Sequence, residues 1–159
     1  MATWAQVIEE APELAAAAQQ ALDAGRHKTL ATLRRDGSPR ISGIEAWFWD
    51  GQLWFGSMWR AVKALDLKRD PRFALHSAST DPVAGWSGDA KVAGTVEVVE
   101  DRGRIAQVLQ DSGQHAPLGP MHLFRAELGE VVHVHLNEDS TKLVIDSWHE
   151  GQGMRTDSR

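Results

Sequence analysis

Residues 27–58, HKTLATLRRDGSPRISGIEAWFWDGQLWFGSM, contain two Asp-Gly pairs, Asp36-Gly37 and Asp50-Gly51, each set between residues of strand-forming type. Asp and Gly both tolerate the positive φ of a two-residue hairpin turn, so the pair is the strongest short-range hairpin signal a sequence carries. Three antiparallel strands follow from it. Downstream, a helical pattern from about Trp59 to Arg69 stops at Asp70-Pro71, and RFALHSA returns as a strand. A loop rich in Asp, Pro and Gly leads to the strand AKVAGTVEVVE, a helix from about Asp101 to Asp111, and a His/Gly/Pro loop. Two last strands, HLFRAELGEVVHVHL and KLVIDSWHE, complete the pattern. Upstream, residues 1–25 are rich in Ala, Glu, Gln and Leu and predict a helix or two, interrupted near Pro12 and closed by Gly25. About six or seven hairpin-connected strands with flanking helices predict an α+β domain built on a closed or nearly closed antiparallel barrel. A single domain is expected over 1–159, with 1–25 helical and 27–150 forming the barrel.

Composition narrows the chemistry. Seventeen basic against 22 acidic residues give a formal charge of −5, which argues against a general binder of nucleic acid or membrane surfaces. Any anion site must be local. The chain has no cysteine, which excludes disulfides, thiolate metal sites and cysteine nucleophiles together. It has no tyrosine either, so redox chemistry would need a cofactor. The amino-terminal segment lacks a signal-peptide pattern, and no apolar run approaches the ~20 residues of a membrane span. The cytoplasm is the expected compartment.

With Asp50-Gly51 as a two-residue turn, Trp49 faces Gln52, Trp47 faces Trp54, Glu45 faces Gly56 and Gly43 faces Met58. The opposite face carries Ile44, Ala46, Phe48, Leu53 and Phe55 and reads as barrel interior. Three tryptophans, a glutamate and two glycines are left pointing outward, a patch that marks a dimer interface, a flat ligand site, or both. Cover by the amino-terminal helix is the alternative. Beyond the strand, Arg60 and Lys63 occupy what reads as the first turn of a helix, where cations are disfavoured by roughly 0.3–1 kcal/mol. Backbone N–H groups, the Ser57 hydroxyl and Lys63 at that helix end would form an anion site, most naturally for phosphate. An ordinary solvated face is the competing reading.

The ordered set TLATLRRDGSPRISGIE, DGQLWFGSM and AVKALDLKRDPRFALHS resembles the pyridoxamine 5′-phosphate oxidase-like superfamily of flavin and deazaflavin oxidoreductases with a split β-barrel. The likeness covers roughly residues 27–100, with a looser match through KLVIDSWHEGQGMR. It implies a homodimer with two flavins in grooves between subunits. It also implies phosphate contacts at Lys63 and near Arg40, flavin-flanking residues at Ser57 and Met58, and a backbone passing the ring system at Ile41, Ser42, Gly43 and Ile44. Ala61-Val62 stand where the family has Ser-Arg, leaving Arg60 as the substitute. The carboxyl-terminal Arg-x-His-type signature is absent, with Trp148, His149 and Arg155 in a different arrangement, which argues against vitamin phosphate oxidation.

The resemblance therefore implies a flavin- or deazaflavin-dependent oxidoreductase acting on a small conjugated molecule. FMN is the first choice, with the deazaflavin coenzyme and FAD as alternatives; net acidity counts against the polyglutamate tail of deazaflavin. Trp59 and Trp86 are candidates to stack on ring or substrate, and Lys91 is a candidate anion contact. Glu45, outward beside aromatics, is the candidate proton donor if desolvated, and a surface salt bridge otherwise. A non-catalytic flavin or tetrapyrrole (haem) carrier using the same groove is the alternative, and a purely structural dimer a third. His133-x-His135 puts two imidazoles on one strand face, with His115 and His122 upstream. With no carboxylate at fixed local spacing, and with such pairs common on the wet face of an edge strand, no metal site is expected.

Overall fold

The computed structural model describes residues 1–83 and 85–159. Two helices, α1 (Trp4–Glu10) and α2 (Pro12–Asp23), precede β1 (His27–Leu33), β2 (Pro39–Trp49) and β3 (Gln52–Met58). Then come α3 (Val62–Arg69), β4 (Arg72–His76), β5 (Asp89–Val99), α4 (Arg102–Asp111), β6 (Met121–Leu136), β7 (Leu143–His149) and β8 (Gly153–Ser158). The sheet runs β3-β2-β1-β4-β5-β6-β7-β8, and pairing of β3 with β6 closes the first six strands into an antiparallel barrel. The fold is an α+β split barrel with two additional strands. β8 was not anticipated: GMRTDS is short and polar, without the apolar alternation that marks a strand.

Long β6 divides the barrel. Its first half, Met121–Ala126, pairs with β3, and its second half, Glu130–Leu136, pairs with β7. Between them the register with β5 shifts at Ala93/Gly94, leaving Gly129 as the extra residue of a β-bulge. A Cβ at Gly94 would lie 1.9 Å from the Glu127 carbonyl oxygen, so only glycine lets the strands approach there. Because side chains alternate with a period of two, the bulge exchanges faces: Phe124, Ala126 and Leu128 point into the core before it, and Val131 after it.

Hairpin register matches expectation, with Glu45 opposite Gly56, Trp47 opposite Trp54 and Trp49 opposite Gln52. Ile44, Ala46, Leu53 and Phe55 join the main core, where Leu14, Ala18 and Leu22 of α2 and Ala64 and Leu67 of α3 also lie. Trp4 of α1 packs on Phe48 at 4.5 Å between ring centroids. The outward tryptophans are covered, but by α4 rather than by the amino-terminal helices. Trp54, Val108 and Leu123 form a second small core, with Trp47, Trp49, Val99 and Ile105 packed against it. Asp101 caps α4, its carboxylate accepting the Arg104 N–H at 2.6 Å.

Candidate functional site

Helix α3 starts later than its sequence pattern suggests. Arg60 is in the left-handed region at φ 58°, so it turns the chain from β3 toward the helix instead of joining it. Its N–H donates to His122 Nε2 at 3.1 Å, and the Ala61 N–H donates to the Met58 carbonyl. That contact makes Nε2 the acceptor of His122 and puts its proton on Nδ1. Burial first, and Lys68 second, hold the His122 imidazole below its ordinary pKa, and its ring stacks on Trp59 at 4.7 Å and 15°. The amino end of α3 has no side-chain cap and no acid in its first turn. Lys63, one residue inside, makes no ion pair among the described residues.

A groove of about 590 Å³ runs along the outer face of β2 and β3 to this helix end. Gly43, Ile44, Glu45, Trp47, Ser57, Met58, Trp59 and Lys63 border it, so it brings together much of the set that the sequence singled out. Ser57 Oγ and Trp47 Nε1 are buried without a hydrogen-bond partner among the described residues. A Cβ at Gly43 would touch nothing, so the bare backbone there faces open space. Gly56 differs, because the Trp47 ring and Met121 already occupy the room its missing side chain leaves.

Glu45 is a half-exposed surface carboxylate, 3.2 Å from Arg26 Nε and 3.6 Å from His27 Nε2, and not the dry group that a patch of bare tryptophans would have made it. Arg40 donates from Nε to Asp66 at 2.7 Å. Asp66 is buried and also accepts from Thr32 and Arg69. Burial pushes the Asp66 carboxyl up, but the hydrogen bonds from Arg40, Arg69 and Thr32 outweigh it and hold it below the usual range. Arg40, Ile41, Ser42, Arg60, Trp86 and Lys91 do not border the groove. Ile41 is exposed, Trp86 donates to Thr80 Oγ1 at 3.1 Å within its own loop, and Lys91 is on β5 between His76 and Val132. Trp148 is fully buried, its indole N–H donating to Glu10 at 2.9 Å.

The opposite wall escaped sequence reasoning. Gln114, His115, Pro117 and Pro120, from the His/Gly/Pro segment after α4, border the groove beside β2 and β3, together with Met121 at the start of β6. Only the density of proline and glycine there hinted at a shaped segment. Past Trp59 and Met121 a second groove of about 530 Å³ opens between Lys68, Arg102, Val98 and Ile105.

A family model described as pyridoxamine 5′-phosphate oxidase matches residues 14–135. No curated protein matches the chain. Among solved structures, a pyridoxamine 5′-phosphate oxidase-related, FMN binding protein from Nostoc punctiforme PCC 73102 is similar at 16% identity and TM-score 0.62, over 94% of this chain and 95% of that one. A heme binding protein from Mycobacterium smegmatis is similar at 19% identity and TM-score 0.54, over 90% of this chain and 57% of that one. An F420 reductase is similar at 20% identity and TM-score 0.50, over 69% of this chain and 91% of that one. At such identities the structural likeness concerns the fold. The family match runs from α2 to the end of β6, through every strand of the closed barrel, and by it the chain belongs to the pyridoxamine 5′-phosphate oxidase family.

Proposed function

We propose that the groove along β2 and β3 binds a flavin-type cofactor, FMN first and deazaflavin or FAD as alternatives, for hydride exchange with a small conjugated molecule. The observation that carries this reading is the meeting of three unsatisfied groups in one groove: the Ser57 hydroxyl, the Lys63 ammonium and the uncapped amino end of α3. Hydroxyl, ammonium and free helix N–H groups together complement a phosphate. Such a cofactor supplies the hydride chemistry when bound. The chain binds and orients. Backbone at Gly43 and Ile44 approaches a ring edge, Trp59 braced on His122 offers a flat stacking surface, and Leu109, Pro117 and Met121 exclude water. Among the described residues Glu45 is the one carboxylate bordering the groove, and it is the candidate to hold a proton there. The substrate would enter from the second groove, past Trp59. The working unit in this reading is a homodimer in the cytoplasm.

A carrier of flavin or haem is the second reading, favoured by two observations. Glu45 is already engaged by Arg26, and His115 borders the groove where it could ligate an iron. Absorption of protein purified from a host that makes deazaflavin identifies the bound group: a haem band near one per chain favours the carrier, whereas a flavin or deazaflavin spectrum fits both readings, which turnover with a reduced nicotinamide or deazaflavin donor then separates. Lys63→Ala is expected to weaken FMN by about 1.5–3 kcal/mol, the worth of a charged hydrogen bond. Gly43→Ala adds a Cβ that meets no protein atom within 4 Å, so it should leave the melting temperature unchanged and weaken FMN by occupying space at the groove. Equal FMN affinity in both variants and wild type would remove the groove from consideration. Turnover unaffected by Glu45→Gln would remove that carboxylate as proton donor.

A further inference from the structure

We propose that His133, His135 and Asp146 form a binding site for a first-row divalent cation, with Zn²⁺ as its representative. β6 is an interior strand of the sheet, so the histidines are not on a wet edge; they continue the face that carries Val131, and His133 is 7% exposed. The carboxylate that local spacing lacked comes from β7, where Asp146 is directly opposite His133. One ring nitrogen of each histidine and one carboxylate oxygen lie within 4.8 Å of one another. Two imidazoles and a carboxylate are a donor set that suits zinc, copper and nickel.

The surrounding hydrogen bonds hold the atoms a metal would not use. His133 Nε2 is 2.7 Å from the Ser87 carbonyl oxygen, and His135 Nδ1 is 3.0 Å from the Leu136 carbonyl oxygen. A carbonyl only accepts, so each of those nitrogens carries the proton. Asp146 Oδ1 accepts from Thr156 Oγ1 at 2.5 Å, which leaves Oδ2 turned toward the histidines. Outer partners of this kind fix tautomer and orientation in metal sites. His135 Nε2 and Asp146 Oδ2 then face each other at 2.9 Å, an attractive contact only with a proton or a cation between them. Two donors at about 2.0–2.1 Å from a tetrahedral metal stand about 3.3–3.4 Å apart, so a bound ion would open this pair by a few tenths of an ångström. His135 and Asp146 are 32% and 24% exposed, which leaves an entry path and room for water on the remaining coordination positions.

Calorimetric titration of the chelator-treated full chain with Zn²⁺ at pH 7.5 tests the site. The expected result is one ion per chain at micromolar or tighter affinity, weakened at least about tenfold by His135→Gln and by Asp146→Asn, the scale of losing one metal-site partner. His149→Gln, at a ring paired with Glu130 on the same two strands, should leave it unchanged. No saturable binding, a loss smaller than tenfold in either variant, or an equal loss in His149→Gln would make the cluster an ordinary His–Asp ion pair and overturn the proposal.

Discussion

His122 links the turn, the aromatic plate and the groove through one ring. Its Nε2 accepts the Arg60 N–H and its face supports Trp59, so the neutral tautomer is the one this local structure requires. Folding lowers its pKa, whereas in the unfolded chain it titrates near the ordinary value of about 6.5. The unfolded state therefore takes up the proton first. The contribution of His122 to stability is complete above about pH 6.5 and is lost as pH falls toward the lower folded value. Urea unfolding between pH 7 and 5 should show this decline, and His122→Phe, which keeps an aromatic face without a titrating nitrogen, should reduce it. The same substitution should cost about 1 kcal/mol at pH 7, because the Arg60 N–H loses its acceptor. An unchanged pH slope in the variant would place the titrating group elsewhere. None of this was legible in the sequence, because His122 and Arg60 are brought together by pairing of β3 with β6, and Arg60 reads as helical until its positive φ is known.

Among the elements, β6 decides most. Its bulge sets which side chains face inward on either half, and Gly94 permits it by leaving the Glu127 carbonyl uncrowded. Both atoms in that contact belong to or anchor backbone, so neither can swing away. Gly94→Ala is expected to destabilise by about 3 kcal/mol, at the upper end for overpacking, in urea denaturation. A variant as stable as wild type would mean the strands can separate locally without loss. The second hairpin was readable because Asp50-Gly51 fixes both turn and register, whereas β1 and β2 are joined by a longer turn with Leu33 opposite Pro39, whose register the Asp36-Gly37 pair did not fix. Positions separated by a bulge were not, since a single inserted residue in β6 reverses every later assignment of face. Helix α4 illustrates a similar boundary: its sequence shows that Ile105 and Val108 share an apolar face, but not that Trp54 and Leu123 receive it.

At the scale of the molecule, cover by α4 changes the case for self-association. The tryptophan face that suggested an interface is packed within the chain, with Trp54 at 2% exposure. Exposed apolar side chains remain elsewhere, among them Ile41, Met58, Trp59 and Val62 at 74, 81, 53 and 53%. Met58 and Trp59 also border the groove, so a second copy seated on them would close it, remove the apolar rim from water and complete a cofactor pocket. The expected assembly is a dimer by light scattering. Met58→Lys would put a charge at the most exposed of these groove residues and should shift the protein toward monomer and weaken FMN in parallel. Trp49→Ala, beneath α4, should lower stability without altering the assembly. If Met58→Lys leaves both mass and FMN affinity unchanged, the groove works within one chain and the exposed rim is not where copies meet. If mass falls while affinity holds, the interface is real and the cofactor is bound by one subunit alone.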